Sequence, residues 1–460
     1  MAAGDLDAAE RELFAGLWAA DGAHDARLLA RAHTELIWLV GYFRLDFDRA
    51  RDHGAQAAAA IEAADGDPTL TAIRLRNLGW TAMQGGDPAQ AEQRFADGLA
   101  ALESSGHGDG RDAWILRGDH GAVLTSLGRH DEAGLELASV REATEAWLGP
   151  EHPELAPVLN NIGALARERG ELADALAAFE RVERIITNAF GEEHLTVARA
   201  LLNRGTVLAD MGRAAEAEQA FTRAGSIFVR VRGDEHRELA AVWKGIAGLA
   251  YAEDQLERAR ELFERALSIE LAAYGDRHPS AAVTSTNLAM VLVDLGRVAE
   301  ALPHHERALV AFRERLGPNH PNLAVVLDGL GFAHEQLGDH ERAAASYREA
   351  IAIAEAAHSL GLPEALYRLG TLELSRGHVD EAVPLLERAH ALRVDAVDAD
   401  PTFLARARFA LARALVDRDR PRAHALASAA LADGGLDIVE RAEIEAWSTA
   451  QRRPAGRTAR

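Results

Sequence analysis

The 460-residue chain has no cysteine. Disulfides, thiolate metal sites and thiol nucleophiles are therefore excluded. Aromatic residues make up only 5% of it. No apolar run reaches the roughly 18 residues that a membrane span needs. Lysine occurs once, at Lys244, and every other strongly basic residue is arginine. The opening stretch, MAAGDLDAAERELF, carries neither a basic nor an apolar segment, so no secretory signal is read. A cytoplasmic location is expected, with no membrane partner. Positive charge is in deficit, with a formal net charge of −22. A phosphate backbone needs a basic stripe, so nucleic acid is not expected as a partner. An acidic surface also keeps a long helical array soluble.

Catalytic signatures are missing too. The chain contains no GxSxG, no Walker A loop and no HExxH. GHGDG at 106–110 has a nucleotide-loop spacing, but no strand precedes it and it reads as a plain loop. No nucleophile–base pair stands at a usable spacing. Neither catalysis nor a cofactor is expected.

What the chain does have is repetition. A small residue falls at Gly79, Gly121, Gly163, Gly205, Ala247, Ala289 and Gly331, a constant step of 42. An alanine follows twelve residues after each, from Ala91 to Ala343. Such regularity means stacked supersecondary units, not one globular core. Residues 149–190 show the unit. Leu155, Leu159, Ile162 and Ala166 form one helical stripe, Gly170 stops it, and Leu172, Ala175, Leu176, Phe179, Val182, Ile185 and Ile186 form a second. The result is an antiparallel helical hairpin with its close approach at Gly163 and Ala175. The turn slot recurs at Gly128, Gly170, Gly212, Gly296 and Gly338, with Asp254 filling it once.

This order of small, bulky and turn residues resembles the tetratricopeptide repeat, whose usual length is 34 residues. The extra length lies in linkers such as LGPEHPEL (148–155), YGDRHPSA (274–281) and LGPNHPNL (316–323). Together with LNNIG (159–163) and ERAL (264–267 and 306–309), they resemble the 42-residue variant of kinesin light chains and many bacterial proteins. The resemblance implies an all-α, right-handed superhelical α-solenoid of stacked helix–turn–helix repeats. It also implies a concave groove lined by the first helices.

Four segments follow. Residues 1–62 hold partial or degenerate units, 63–357 seven in-register units, 358–450 shorter units with a capping helix, and 451–460 a basic tail expected to be disordered. Gly4 and Ala9 match the turn glycine and second-helix alanine of a repeat. The chain therefore reads as starting on a second helix whose first helix is absent, and as a piece of a longer protein. TELIWLVGYF (34–43) and the later LG-x-x-HP linkers resemble the C-terminal tails of some bacterial serine/threonine protein kinases, without any kinase motif.

Two ladders run along the repeats. His152, His194, His236, His278 and His320 recur in the linkers. Equivalent residues of stacked hairpins lie two helix layers apart, on the order of 18 Å, so they cannot share a metal ion. No metal site is expected, and the rings are assigned to a linker role, bonding a backbone carbonyl or the free amides of the next helix. Asn77, Asn161, Asn203 and Asn287 stand two residues before the small first-helix position, where other units have Gly245 and Gly329. On a concave face such amides would grip an extended peptide without reading its sequence. The other reading is structural, with asparagines tying neighbouring repeats together. Asn160, Lys244 and Tyr251 lie near the same face and join the candidate groove; Lys244 would meet a carboxylate. The expected function is a non-catalytic scaffold holding a peptide, a helix or a partner domain. The alternative is a regulatory or substrate-recruiting tail of a larger bacterial signalling protein such as a kinase, with a catalytic domain as partner.

Overall fold

The computed structural model describes residues 3–357, 359, 361–394 and 400–452. Among them are twenty-two α-helices and no strand. They fall into two compact units, Met1–Val291 and Leu292–Arg460. The first unit opens with α1 (Ala3–Gly22). Six hairpins follow: α2 (Ala26–Ile37) with α3 (Phe47–Ala63), α4 (Pro68–Gln84) with α5 (Pro88–Ser104), α6 (Arg111–Ser126) with α7 (His130–Leu148), α8 (Ala156–Glu168) with α9 (Leu172–Phe190), α10 (Leu195–Asp210) with α11 (Ala214–Arg232), and α12 (Leu239–Ala252) with α13 (Leu256–Tyr274). The division falls within α14 (Pro279–Asp294), inside the in-register stretch of sequence. The second unit holds α15 (Val298–Leu316), the hairpins α16 (Pro321–Gln336) with α17 (His340–Ala356), α18 (Leu362–Ser375) with α19 (Val379–Val394), and α20 (Pro401–Leu415) with α21 (Arg420–Asp433), and then α22 (Ile438–Arg452). α22 runs through Gln451 and Arg452, the first two residues of the expected 451–460 tail. Residues 453–460 of that tail lie outside the described residues.

Helix ends follow from local chemistry. Asp67, Asp87 and Asp400 accept backbone N–H groups at the starts of α4, α5 and α20, each with proline in the first turn. The turn between paired helices needs a left-handed residue. Gly170 supplies φ 75°, while Asp254 adopts φ 59° in the same slot at a cost of about 1 kcal/mol.

The small first-helix residues make room for a ring. A Cβ on Gly163 would lie 2.7 Å from the Phe179 ring. The same clash, at 2.9, 2.7 and 2.6 Å, sets Gly79 against Phe95, Gly205 against Phe221 and Gly331 against Tyr347. The residue packed on the glycine is thus the bulky one sixteen positions on, and not the alanine at twelve. Alanines such as Ala175 and Ala217 are themselves fully buried.

The first hairpin departs from the step by one residue. Its turn residue with positive φ is Leu45, and its second-helix alanine is Ala50, each one position late against Gly86 and Ala91. The extra residue is absorbed by a π-helical turn, Trp38–Phe43, that continues α2. Once it is counted, the size pair is reversed. Ile37 stands in the glycine slot and Gly54 in the ring slot.

Candidate functional site

The histidine ladder caps helices. Nδ1 of His152, His194, His278 and His320 accepts the backbone N–H two residues on at 3.1–3.2 Å, and His236 does so at 3.4 Å. An accepting Nδ1 must be deprotonated. Burial favours that state by lowering the pKa of His236 and His320. At His194, His278 and His320 this satisfies a first-turn donor of the following helix; at His152 the donor lies in a short 3-10 turn, Pro153–Leu155, and at His236 it is Glu238, just before α12.

The asparagines form rungs between consecutive first helices. Nδ2 of Asn77 donates to the Thr34 carbonyl at 2.9 Å, and Nδ2 of Asn161 to the Gly118 carbonyl at 2.9 Å. Asn203 reaches the Asn160 side-chain oxygen at 3.3 Å. Asp119 takes the same position between Asn77 and Asn161; it accepts from Arg76 and, at 3.0 Å, from the Trp80 indole. Arg368 fills the slot in the second unit and pairs with Asp328 at 3.1 Å. Each rung joins a slot on one first helix to the slot one place earlier on the preceding one. The amide donors at 77, 161 and 203 are therefore used inside the protein. Asn287 is half-buried on α14. Lys244 meets a carboxylate within its own unit: its Nζ donates to Glu270 Oε1 at 2.8 Å, and Thr284 donates to the other oxygen at 2.5 Å. Tyr251 sits half-buried near the end of α12. Asn77 is buried, whereas Asn203 is exposed. Asn77→Ala is expected to lower stability by about 1 kcal/mol and Asn203→Ala by much less. Chemical denaturation of both variants would show this; equal losses would mean the rungs do not depend on burial.

Where the rung slot is glycine, packing replaces the hydrogen bond. A Cβ on Gly245 would lie 2.7 Å from the Phe221 ring, and one on Gly329 2.5 Å from the His305 ring.

The second unit contains a cleft of about 650 Å³ on α16, α18, α20 and α22. Its floor is aromatic: Phe332, Tyr367, Phe403 and Phe409. Tyr367 and Phe403 meet edge-on at 5.6 Å between ring centres. The Arg368 guanidinium lies 4.6 Å above Phe332 while paired to Asp328. Arg406 is held by Glu440 at 2.6 Å. Burial raises the pKa of Asp328 and of the Tyr367 phenol, which therefore stays a donor. Asp328 Oδ1 and Glu364 Oε2 are buried without a hydrogen-bond partner. Rings and fixed guanidinium groups suit the binding of a chain bearing apolar side chains. Tyr367 and Arg368 occupy the same two slots before a small residue as Asn160 and Asn161 do. Sequence reasoning did not select them. The register signal was there, because Gly370 is the small residue of that unit.

Among the described residues one metal-like cluster occurs, Glu373, His378 and Glu381. Its buried carboxylate, Glu373, already pairs with Arg348 at 2.7 Å and with Arg376 at 3.4 Å. No described helix is long and apolar enough to cross a membrane.

Stacked hairpins with ring-on-glycine contacts and a grooved first-helix face define a helical-repeat solenoid. The tetratricopeptide repeat pattern matches residues 111–188, 158–228, 196–272, 238–297 and 280–356, more than half of the chain, which belongs to that family. Such repeats generally serve as protein-interaction scaffolds. No curated protein matches in sequence. Among solved structures, the human IFIT1 dimer with PPP-AAAA shares 13% identity, covering 92% of this chain and 90% of that one, with a TM-score of 0.53. The apo form of RapI shares 15% over 74% of this chain and 97% of its own, with a TM-score of 0.51. Both have the same all-α solenoid fold. A Podosopora anserina putative kinesin light chain with nearly identical TPR-like repeats shares 22% over 45% of this chain and 98% of its own, with a TM-score of 0.39.

Proposed function

We propose that the chain is a non-catalytic scaffold that holds a peptide or a helix of a partner protein against its first-helix faces. The observation that carries this reading is the second-unit cleft with its four rings, in which Tyr367 and Arg368 occupy the register positions that Asn160 and Asn161 hold in the first unit. In the first unit the wall would carry Asn77, Asn160, Asn161, Asn203, Lys244, Tyr251 and Asn287. Affinity would come from many small contacts along the ligand. A substrate-recruiting role within a larger signalling protein would use the same faces, and a kinase domain encoded in the same reading frame would favour it.

The test is a displayed peptide library selected on the full chain. Selected peptides should lose at least about tenfold in affinity for Tyr367→Ala/Phe403→Ala, the scale of a binding hot spot. The melting curve should change little. Peptides that bind this variant as tightly as the parent would remove the cleft from the binding surface.

A further inference from the structure

Repeat solenoids normally contact only their neighbours. A contact in the first unit departs from this rule. The Arg237 guanidinium, just before α12, lies 4.9 Å from the centre of the Phe43 ring, at the end of the π-helical turn. It also lies 5.9 Å from the Tyr274 ring of its own hairpin. Four hairpins separate the two partners along the chain. Helix α1 meets α13 in the same region.

Both partners are departures from the repeat. The position held by Arg237 is Pro153, Leu195, Pro279 and Pro321 in the other linkers. Phe43 is placed by the inserted residue that turns Trp38–Phe43 into a π-helix. Trp38 and Tyr42 on that turn stack at 4.3 Å, and Tyr42 meets Trp80 edge-on at 6.5 Å, so Phe43 stands on an aromatic platform. Arg237 Nη1 is buried with no hydrogen-bond partner. Burial raises the Tyr42 phenol and the positive charge of Arg237 opposes the shift, which places the cation near the platform as well. A cation over ring faces is an attraction that needs no precise polar match.

We infer that Arg237 and Phe43 form a latch that fixes the pitch of the first unit's superhelix. Each hairpin interface turns the chain by a small angle, and small changes add along the array. A contact between the first and sixth hairpins removes that freedom. Its consequence for binding rests on the groove proposed above: a ligand too wide for the latched first-helix face must break the latch to enter.

The chain has no cysteine, so two introduced cysteines define a single spin-labelled pair. Exposed Ala55 on α3 and Ser268 on α13 provide the sites. Ala55→Cys/Ser268→Cys is measured without any ligand, alone and with Arg237→Pro, which restores the residue of the other linkers. Phe43→Leu serves as the second variant, and Arg230→Ala, an exposed arginine that pairs with Glu193, as the control. Arg237→Pro and Phe43→Leu should each shift the distance distribution outward by several ångströms and broaden it. Combining them should add nothing, and the control should not move it. Either variant, folded by circular dichroism, that keeps the parent distribution overturns the latch. Because no ligand is present, that outcome leaves the groove reading to its own test.

Discussion

Phe221→Ala is expected to cost about 3–5 kcal/mol, toward the upper end of that range for a buried phenylalanine. Phe221 lies on α11 and is 3% exposed. Its ring is packed between two glycines of successive first helices. A Cβ on Gly205 or on Gly245 would each come within 2.7 Å of it. Removing the ring therefore leaves a space that neither wall can fill, and the residual cavity sets the size of the loss. Gly205→Leu alone should overpack the hairpin and cost about 1–3 kcal/mol. The double variant should be more stable than the sum of the two losses implies, because the added side chain takes up part of the vacated volume. Solenoids lose stability through nearest-neighbour terms, so hydrogen exchange in α10–α13 is the sensitive measurement. Strict additivity of the two variants would mean that Gly205 and Phe221 do not share one packing site.

The hairpins, their turns and the histidine caps were legible in the sequence because each is set inside one 42-residue unit. Periodicity reports such features directly. The rungs were half legible. Asn77, Asn161 and Asn203 stood out by their spacing, but their partners lie one slot earlier on the neighbouring helix, as in Asn160–Asn203 and Arg76–Asp119. A pairing offset of 43 is invisible to a search at 42. The cleft of the second unit was missed for a related reason. Past Gly331 the step shortens, and Tyr367 and Arg368 no longer align with the residues whose slots they fill. The π-helical turn lay within the stretch read only as partial or degenerate units, residues 1–62. The Arg237–Phe43 contact was beyond reach, because it depends on a pitch accumulated over four intervening hairpins.

Acid is expected to destabilise the second unit through His305. His305 occupies the slot that holds Phe95, Phe179, Phe221 and Phe263 in other repeats. It is 1% exposed, its ring lies against Gly329, and its Nδ1 has no hydrogen-bond partner. Burial, with His304 beside it, lowers its pKa from 6.5 to about 4. The folded state thus binds fewer protons than the unfolded state between these values. Above pH 6.5 both states are neutral and the full stability is present. As pH falls from 6.5 to about 4, only the unfolded chain gains the proton, and about 3 kcal/mol is lost. Below that both states are charged and the group adds no further loss. His305→Phe restores the ring of the other repeats and removes the titration. The stability difference between His305→Phe and the parent should therefore widen from about pH 8 to about pH 5, while carboxylates common to both cancel. Denaturation of the two proteins at these pH values gives the comparison. A difference that stays constant would mean that the imidazole takes its proton as readily inside the fold as outside it.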